Sequence, residues 1–481
     1  MDQAALNALG AAASVLTVLD ASIKTFKAIV DIASSLAQYT EKTSSVVRQC
    51  QFDSETLENL ISIFKQNPSL LANEKEREST ERVFDQLLIS LLKIKARLEP
   101  YKTSTLLNRV MWTVTMEKVA IELEQDLFRW SQRLYMRLSL LMSKFNDSIS
   151  QQRVSPLLQV PELMAEYRMN EIITKSKEAT LSIDHLITDI SHVELLGLPS
   201  SRMMASLPDK QKALVEFRPY DVSADQSRRT DAEKDTKRLA TILSYAKPSL
   251  MCILPCTGYY HDEINHRFSL LFNLPSGISE PTGAVFLDKL MAREKRYSLS
   301  KRLEIARRIA AALFVTHAIK WVHRTIQSRK IMICARQGTM SGEAYLTGFE
   351  LARDEHRYSS GTETGSWEDK IYRHPDRQAE QGNPHYVPAY DIYSLGVVLI
   401  EIARWRTCAS EMDKDGNKLF SEKSPEDCRK HILRRFLPGV VHHAGQTYAD
   451  VVRECLNAER GQGVQLMGGV LSRLERLQDS I

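Results

Sequence analysis

The residues best placed to do chemistry lie in two clusters. His323, Arg324, Thr325, Gln327 and Lys330 precede a short β-type run at 331–334, and Gly348, Phe349 and Glu350 follow a second run at 344–347. The loop between the runs holds Gly338 and Gly342, which is hairpin grammar. Proton transfer or metal binding at such a place calls on imidazole or carboxylate groups. Thr325, Lys330 and Gly348 supply none. Other candidate groups are weaker. Cys252 and Cys256 sit in an apolar run, MCILPC, and read as buried strand thiols rather than metal ligands. His442 and His443 are adjacent, so their side chains are expected to diverge. His317 reads as a half-buried helix residue rather than a base.

The two clusters resemble the catalytic centre of the protein kinase fold, in which a His-Arg-Asp-Leu-Lys-x-x-Asn loop precedes one strand of a hairpin and Asp-Phe-Gly follows the other. His323, Arg324 and Phe349 match the positions that the family uses for internal packing. Thr325 stands at the catalytic aspartate, Gln327 at the phosphate-facing lysine, Lys330 at the metal-binding asparagine and Gly348 at the metal-binding aspartate. Phosphoryl transfer is mostly positioning and charge neutralisation by metal-holding acids and a proton acceptor. On this resemblance no catalytic residue is expected and no metal site. The strongest local match is DIYSLGVVLIEIARW, 391–405, similar to the central helix of the kinase large lobe. There Asp391 is expected to accept hydrogen bonds from the backbone around His323 and Arg324.

Composition bounds the reading. The chain has 481 residues, is 43% apolar and 26% charged, and carries a net charge of +4. That length predicts two or three domains. The small net charge gives no warrant for a nucleic-acid partner. Seven scattered cysteines without a Cys-x-x-Cys pair fit a reducing compartment, and a cytoplasmic location is expected. The N-terminus lacks the basic start of a secretory signal.

The elements around the clusters predict an α+β multidomain fold. Residues 1–150 read as an all-α bundle. Its first helix carries Leu6, Leu9, Ala13, Leu16, Leu19, Ile23, Phe26 and Val30 on one face. A second covers about 45–66, and a third carries Val83, Leu87, Leu91, Ile94 and Leu98 and stops at Pro100. The fourth carries Val119, Leu123, Leu127, Trp130, Leu134, Leu138 and Leu141. The uncharged opening helix and LLNRVMWTVTMEKVAIELEQDLFRW look like the HeLo and HeLo-like bundles of fungal incompatibility and immune proteins, and are similar to the bundle of the mixed-lineage kinase domain-like family. In those families the bundle damages membranes. The residues themselves favour a buried core helix, because a ~24 Å apolar opening is shorter than a bilayer core and Asp20 and Lys24 follow it.

Residues 151–207 are expected to form a helical brace, and 208–481 a kinase-like domain with lobes at 208–274 and 275–481. In the small lobe, 213–220 is the predicted third strand, where Glu216 or Arg218 takes the place of the family's phosphate-binding lysine and Lys212 is a weaker candidate. The helix at 231–246 offers Glu233 as its partner. Runs 250–254 and 268–274 are the predicted hairpin, with Asn273 at the hinge. No Gly-x-Gly-x-x-Gly precedes them. ATP is therefore the only cofactor left open, through hinge backbone groups, with binding that is weak or independent of metal. In the large lobe, Ser359, Ser360, Thr362, Thr364 and Ser366 are available for phosphorylation beside Arg353 or Arg373.

The leading functional expectation is a kinase-like regulator without catalysis, controlling a membrane-active bundle in fungal self/non-self recognition or regulated cell death. Its expected partners are a second copy through the bundle, an upstream sensor or kinase, and membrane lipids, with recruitment to the plasma membrane. The alternatives are an atypical kinase using Glu350, Glu343 or Asp354 for metal, and a signalling scaffold without a membrane role.

Overall fold

The computed structural model describes residues 3–36, 41–66, 71, 74–101, 194–196, 202–207, 212–220, 226–275, 278, 283–293, 296–335, 342–355, 366–378 and 385–480. The chain is a mixed α+β multidomain protein that divides into two compact units, Met1–Met164 and Ala165–Ile481.

In the first unit, α1 (Gln3–Leu36), α2 (Glu41–Gln66) and α3 (Glu74–Leu98) are described. Helix α1 packs on both others. It buries Ala12, Val15, Leu19, Ile23, Phe26, Ile29 and Ala33 against partners that include Leu57, Phe64, Phe84 and Leu91. Each large side chain so buried contributes about 1.5–3 kcal/mol. The stripe expected from sequence is displaced by one residue at several points: Ala13 is exposed and Leu16 and Val30 are half-buried, while Ala12, Val15 and Ile29 face the core. Phe84 likewise takes the place expected of Val83. Small alanines let α1 rotate toward the bulky residues, because packing and not hydropathy alone chooses the face. Asp20 and Lys24 form an exposed i,i+4 pair at 2.6 Å. No helix among the described residues is long and apolar enough to cross a membrane. The expected fourth helix and residues 151–193 of the expected brace lie outside the described residues.

The second unit opens on a five-stranded antiparallel sheet in the order β1-β2-β3-β5-β4. Its strands are β1 (Glu194–Leu196), β2 (Arg202–Ser206), β3 (Lys212–Pro219), β4 (Cys256–Asp262) and β5 (Arg267–Asn273). The first two fall inside the stretch expected to be a brace, so the sheet begins earlier than sequence suggested. Met203 and Ala205 alternate into its core with Ala213, Val215 and Phe217. A further correction concerns 250–254. Pro248 starts a short helix ending at Met251, with Cys252 capping it in left-handed conformation, and the hairpin partner of β5 is instead β4. Proline at a helix start overrode the β-like run of apolar residues.

Three strands follow, β6 (Ala284–Phe286), then the hairpin β8 (Ile331–Cys334) and β9 (Glu343–Leu346), with β7 (Trp321–Val322) pairing with β10 (Arg353–Asp354) beside them. Gly342 is required where the hairpin closes, since a Cβ there would sit 2.7 Å from the Cys334 backbone. The helices Leu299–Ala318 and Pro388–Arg404 are almost wholly buried and pack together, the first also against β9 and the second against β7. Gly396 admits the Gln446–Leu456 helix, because a Cβ would lie 2.9 Å from that of Cys455.

Candidate functional site

The loop after β7 is held by one carboxylate. Asp391, fully buried in the first turn of Pro388–Arg404, accepts the backbone N–H of His323 at 2.7 Å and of Arg324 at 2.8 Å. The Tyr386 hydroxyl donates to it at 2.8 Å, and the His317 ring lies 3.2 Å away. His317 is thus fully buried, more than sequence implied, because it is one of the donors that this acid needs. Burial alone would raise Asp391, yet the His317 and His323 contacts outweigh it and hold the carboxyl below its usual range. The same contacts fix Arg324 at φ +75°, a conformation that costs about 1–3 kcal/mol if unsupported.

His323 points inward. Its Nε2 lies 3.1 Å from the Thr347 carbonyl, its ring packs edge-on against Phe349, and burial lowers its pKa to about 4. It is therefore neutral and donates from Nε2. Thr325, at the position of the family's proton acceptor, donates its hydroxyl to the Gly348 carbonyl at 2.8 Å. Gln327 donates to Asp369 at 2.8 Å, and Arg329 pairs with the same carboxylate. Asp369 in turn caps the short helix Trp367–Ile371 together with Ser366.

Lys330 turns beneath β8 and pairs with Glu350, both nearly excluded from solvent. Its stem fills the space beside Gly348: a Cβ on that glycine would lie 2.5 Å from the Lys330 Cδ, and the glycine sits at φ +91°. From the sheet, Glu216 on β3 accepts the backbone N–H of Gly348 at 2.5 Å and of Phe349 at 2.8 Å. Burial and the neighbouring Glu350 push Glu216 up, to about 7. Arg202 of β2 donates to the Arg329 carbonyl and lies over the Phe286 ring at 4.0 Å. The buried Glu216, Lys330 and Glu350 and the half-buried Arg202 thus form one cluster of two cations and two acids. Sequence reasoning missed Arg202, because its five-residue strand offers only two inward positions and no signal that sets it apart from a loop.

The remaining expected residues lie apart from this cluster. Arg218 donates to the Ala352 carbonyl at 3.2 Å. Glu233 pairs with Lys237 one turn along its own helix, Gln226–Ser244, at 2.7 Å, and is not the partner of a β3 residue there. Asn273 accepts from the Thr257 hydroxyl at 3.1 Å. Ser359, Ser360, Thr362 and Thr364 lie outside the described residues. Arg353 is buried in β10. His442 and His443 do not diverge; their rings pack edge to face, 5.2 Å apart.

The acids of the atypical-kinase alternative do not converge. Glu350 is held by Lys330, Asp354 by Arg238 at 3.3 Å, and Glu343 by Tyr345 and, at 3.7 Å, Arg308. Among the described residues no group of three or more His, Cys, Asp or Glu side chains could share a metal ion. A magnesium–triphosphate complex does not fit this donor set. Where it requires an ammonium on the third strand it would meet the Glu216 carboxylate, and where it requires metal ligands it would meet Lys330 and Gly348.

Residues 280–462 match the sequence model of the protein tyrosine and serine/threonine kinase family. The chain is also similar to the mixed lineage kinase domain-like protein of Mus musculus, with 26% identity over 198 residues, 40% of this chain and 39% of that protein. The match therefore spans about two-fifths of that relative. Hairpin, buried Asp391 helix and sequence match agree, and the second unit contains a kinase-like domain.

Proposed function

We propose that this chain is a regulator in which a kinase-like domain without phosphoryl-transfer chemistry controls the N-terminal helical bundle, in regulated cell death of the HeLo or mixed-lineage kind. The observation that carries the reading is the cluster of Arg202, Glu216, Lys330 and Glu350. Each of these four side chains makes at least one bond within the protein, and the two cations and two acids lie together. Such a domain is useful for its two lobes and the contacts between them, since a gap of a few kcal/mol suffices for a switch. On this reading an upstream sensor or kinase acts on the hydroxyl-rich segment around Ser359–Thr364. The bundle then self-associates, and the cytoplasmic protein moves to the plasma membrane.

The test uses the full chain in two steps. Thermal shift with ATP, with and without magnesium, is expected to show no magnesium-dependent stabilisation, and radiolabelled ATP no transfer. Transfer abolished by Glu350→Ala but retained in Thr325→Ala would instead establish an atypical kinase. For the effector half, a Glu216→Ala chain is expected to oligomerise and to release dye from liposomes more readily than the parent. No oligomers and no leakage would remove the membrane role.

A further inference from the structure

A second site lies on the helical side of the kinase-like domain, away from the Lys330–Glu350 cluster. A groove of about 800 Å³ opens between the 411–423 loop and the helical turns that follow it. Lys418, Lys423, Lys430, His431, Arg434 and Arg435 line it. Lys430 is paired with Glu426 at 3.7 Å, whereas Lys418, Lys423, Arg434 and Arg435 carry no salt bridge among the described residues.

The groove is built rather than draped. One wall is a tight loop in which Asp413 accepts the backbone N–H of Asp415 at 2.9 Å and of Asn417 at 2.8 Å, and Met412 bridges to Lys418. The other wall is the helix Pro425–His431, capped by Ser424, running into a π-helical turn, Ile432–Phe436. Pro438, lacking an N–H, follows that turn, and π turns of this kind often mark functional sites. Both consecutive arginines of the turn are exposed, and His431 packs edge-on against the rings of Phe420 and Phe436, each 5.5 Å away. Three carboxylates share the groove, but Asp413 is engaged in the loop and Asp427 with Ser424, which leaves Glu422. The field at His431 is accordingly positive: after burial, Lys423 and Arg435 are the main groups that lower its pKa.

We propose that this groove binds a compact small molecule carrying clustered phosphates. Paired guanidinium forks match phosphate oxygens two at a time, and unpaired ammonium groups on the facing loop supply further charge. The volume is that of a small-molecule site. A flat bilayer would meet the rim but not the floor between loop and helix, and an extended phosphopeptide would need cations beyond it.

Calorimetry of the full chain with tripolyphosphate at physiological salt tests this, alongside an Arg434→Ala/Arg435→Ala chain. Both arginines are exposed, so the variant is expected to melt with the parent, and a Lys423→Ala chain serves as an independent second variant. Saturable binding that the double substitution weakens by about tenfold or more, and that high salt weakens too, is the expected result. No binding, or binding unchanged in both variants, overturns the proposal. So does a result in which vesicles containing anionic phospholipid, or a doubly phosphorylated peptide, bind through these arginines while tripolyphosphate does not.

Discussion

The Glu216 carboxylate on the third strand and the backbone N–H of Gly348, 132 residues further along the chain, meet at 2.5 Å. With the parallel bond to Phe349 this ties the sheet to the hairpin end through a single side chain. Replacing Glu216 by alanine leaves two buried N–H groups without an acceptor and removes one acid from a balanced cluster. A loss of about 3 kcal/mol is expected in urea denaturation. Glu216→Gln, which retains one acceptor oxygen, is expected to lose roughly half as much. Equal losses in the two variants would mean that the carboxylate's charge, and not its bonds to Gly348 and Phe349, sets the stability.

Lys330 and Glu350 make a sharper case, because a buried pair is expensive to break and cheap to replace. Lys330→Ala alone is expected to destabilise by about 3–5 kcal/mol, since it strands the Glu350 carboxylate. The double change Lys330→Met/Glu350→Leu is expected to lie within about 1–2 kcal/mol of the parent. A double-mutant cycle by chemical denaturation checks this, and an additive result would show that the pair is not coupled.

Much of this domain was legible from sequence, for identifiable reasons. The 391–405 helix announced itself because most of its side chains are apolar, and Asp391 stood out as the acid at its start, whereas Glu401, equally buried, did not. The hairpin was legible from its glycines. The Arg202 strand was not, since five residues with two inward positions give too short an alternation to separate from a loop. Nor could sequence say where Glu216 points: its bonds run to backbone groups, which carry no signature in the sequence. The α1 face was misplaced because alanine is compatible with either side of a helix.

Gly348 allows the lysine and the left-handed backbone at once, and the two requirements can be separated. Gly348→Ala is expected to destabilise by about 1–3 kcal/mol from φ +91° alone, with a further loss from the clash with Lys330. In a Lys330→Ala background the contacts with Cδ and Cγ disappear, leaving only the 3.2 Å approach to Cβ, and the backbone part persists. The same substitution should therefore be milder there, as thermal or urea unfolding of the four chains would read. An unchanged penalty would assign the whole effect to the backbone.

Glu401 gives the pH dependence. It is fully buried, accepts the Tyr372 hydroxyl and the Cys408 N–H, each at 2.7 Å, and burial pushes it up to about 7. A carboxyl raised in the folded state holds its proton where the unfolded chain has lost it, so its stabilising contribution is full below about 4.5 and is lost as pH rises through about 7. Glu216 has the same sign. His323, lowered to about 4, has the opposite one, weakening the fold as pH falls below about 6.5. Because these overlap, the test is a difference: Glu401→Gln keeps an acceptor but cannot ionise. Between pH 5 and pH 8 the parent is expected to lose more unfolding free energy than the variant, by on the order of 3 kcal/mol. Parallel curves would show that Glu401 keeps an ordinary carboxylate pKa in the folded chain.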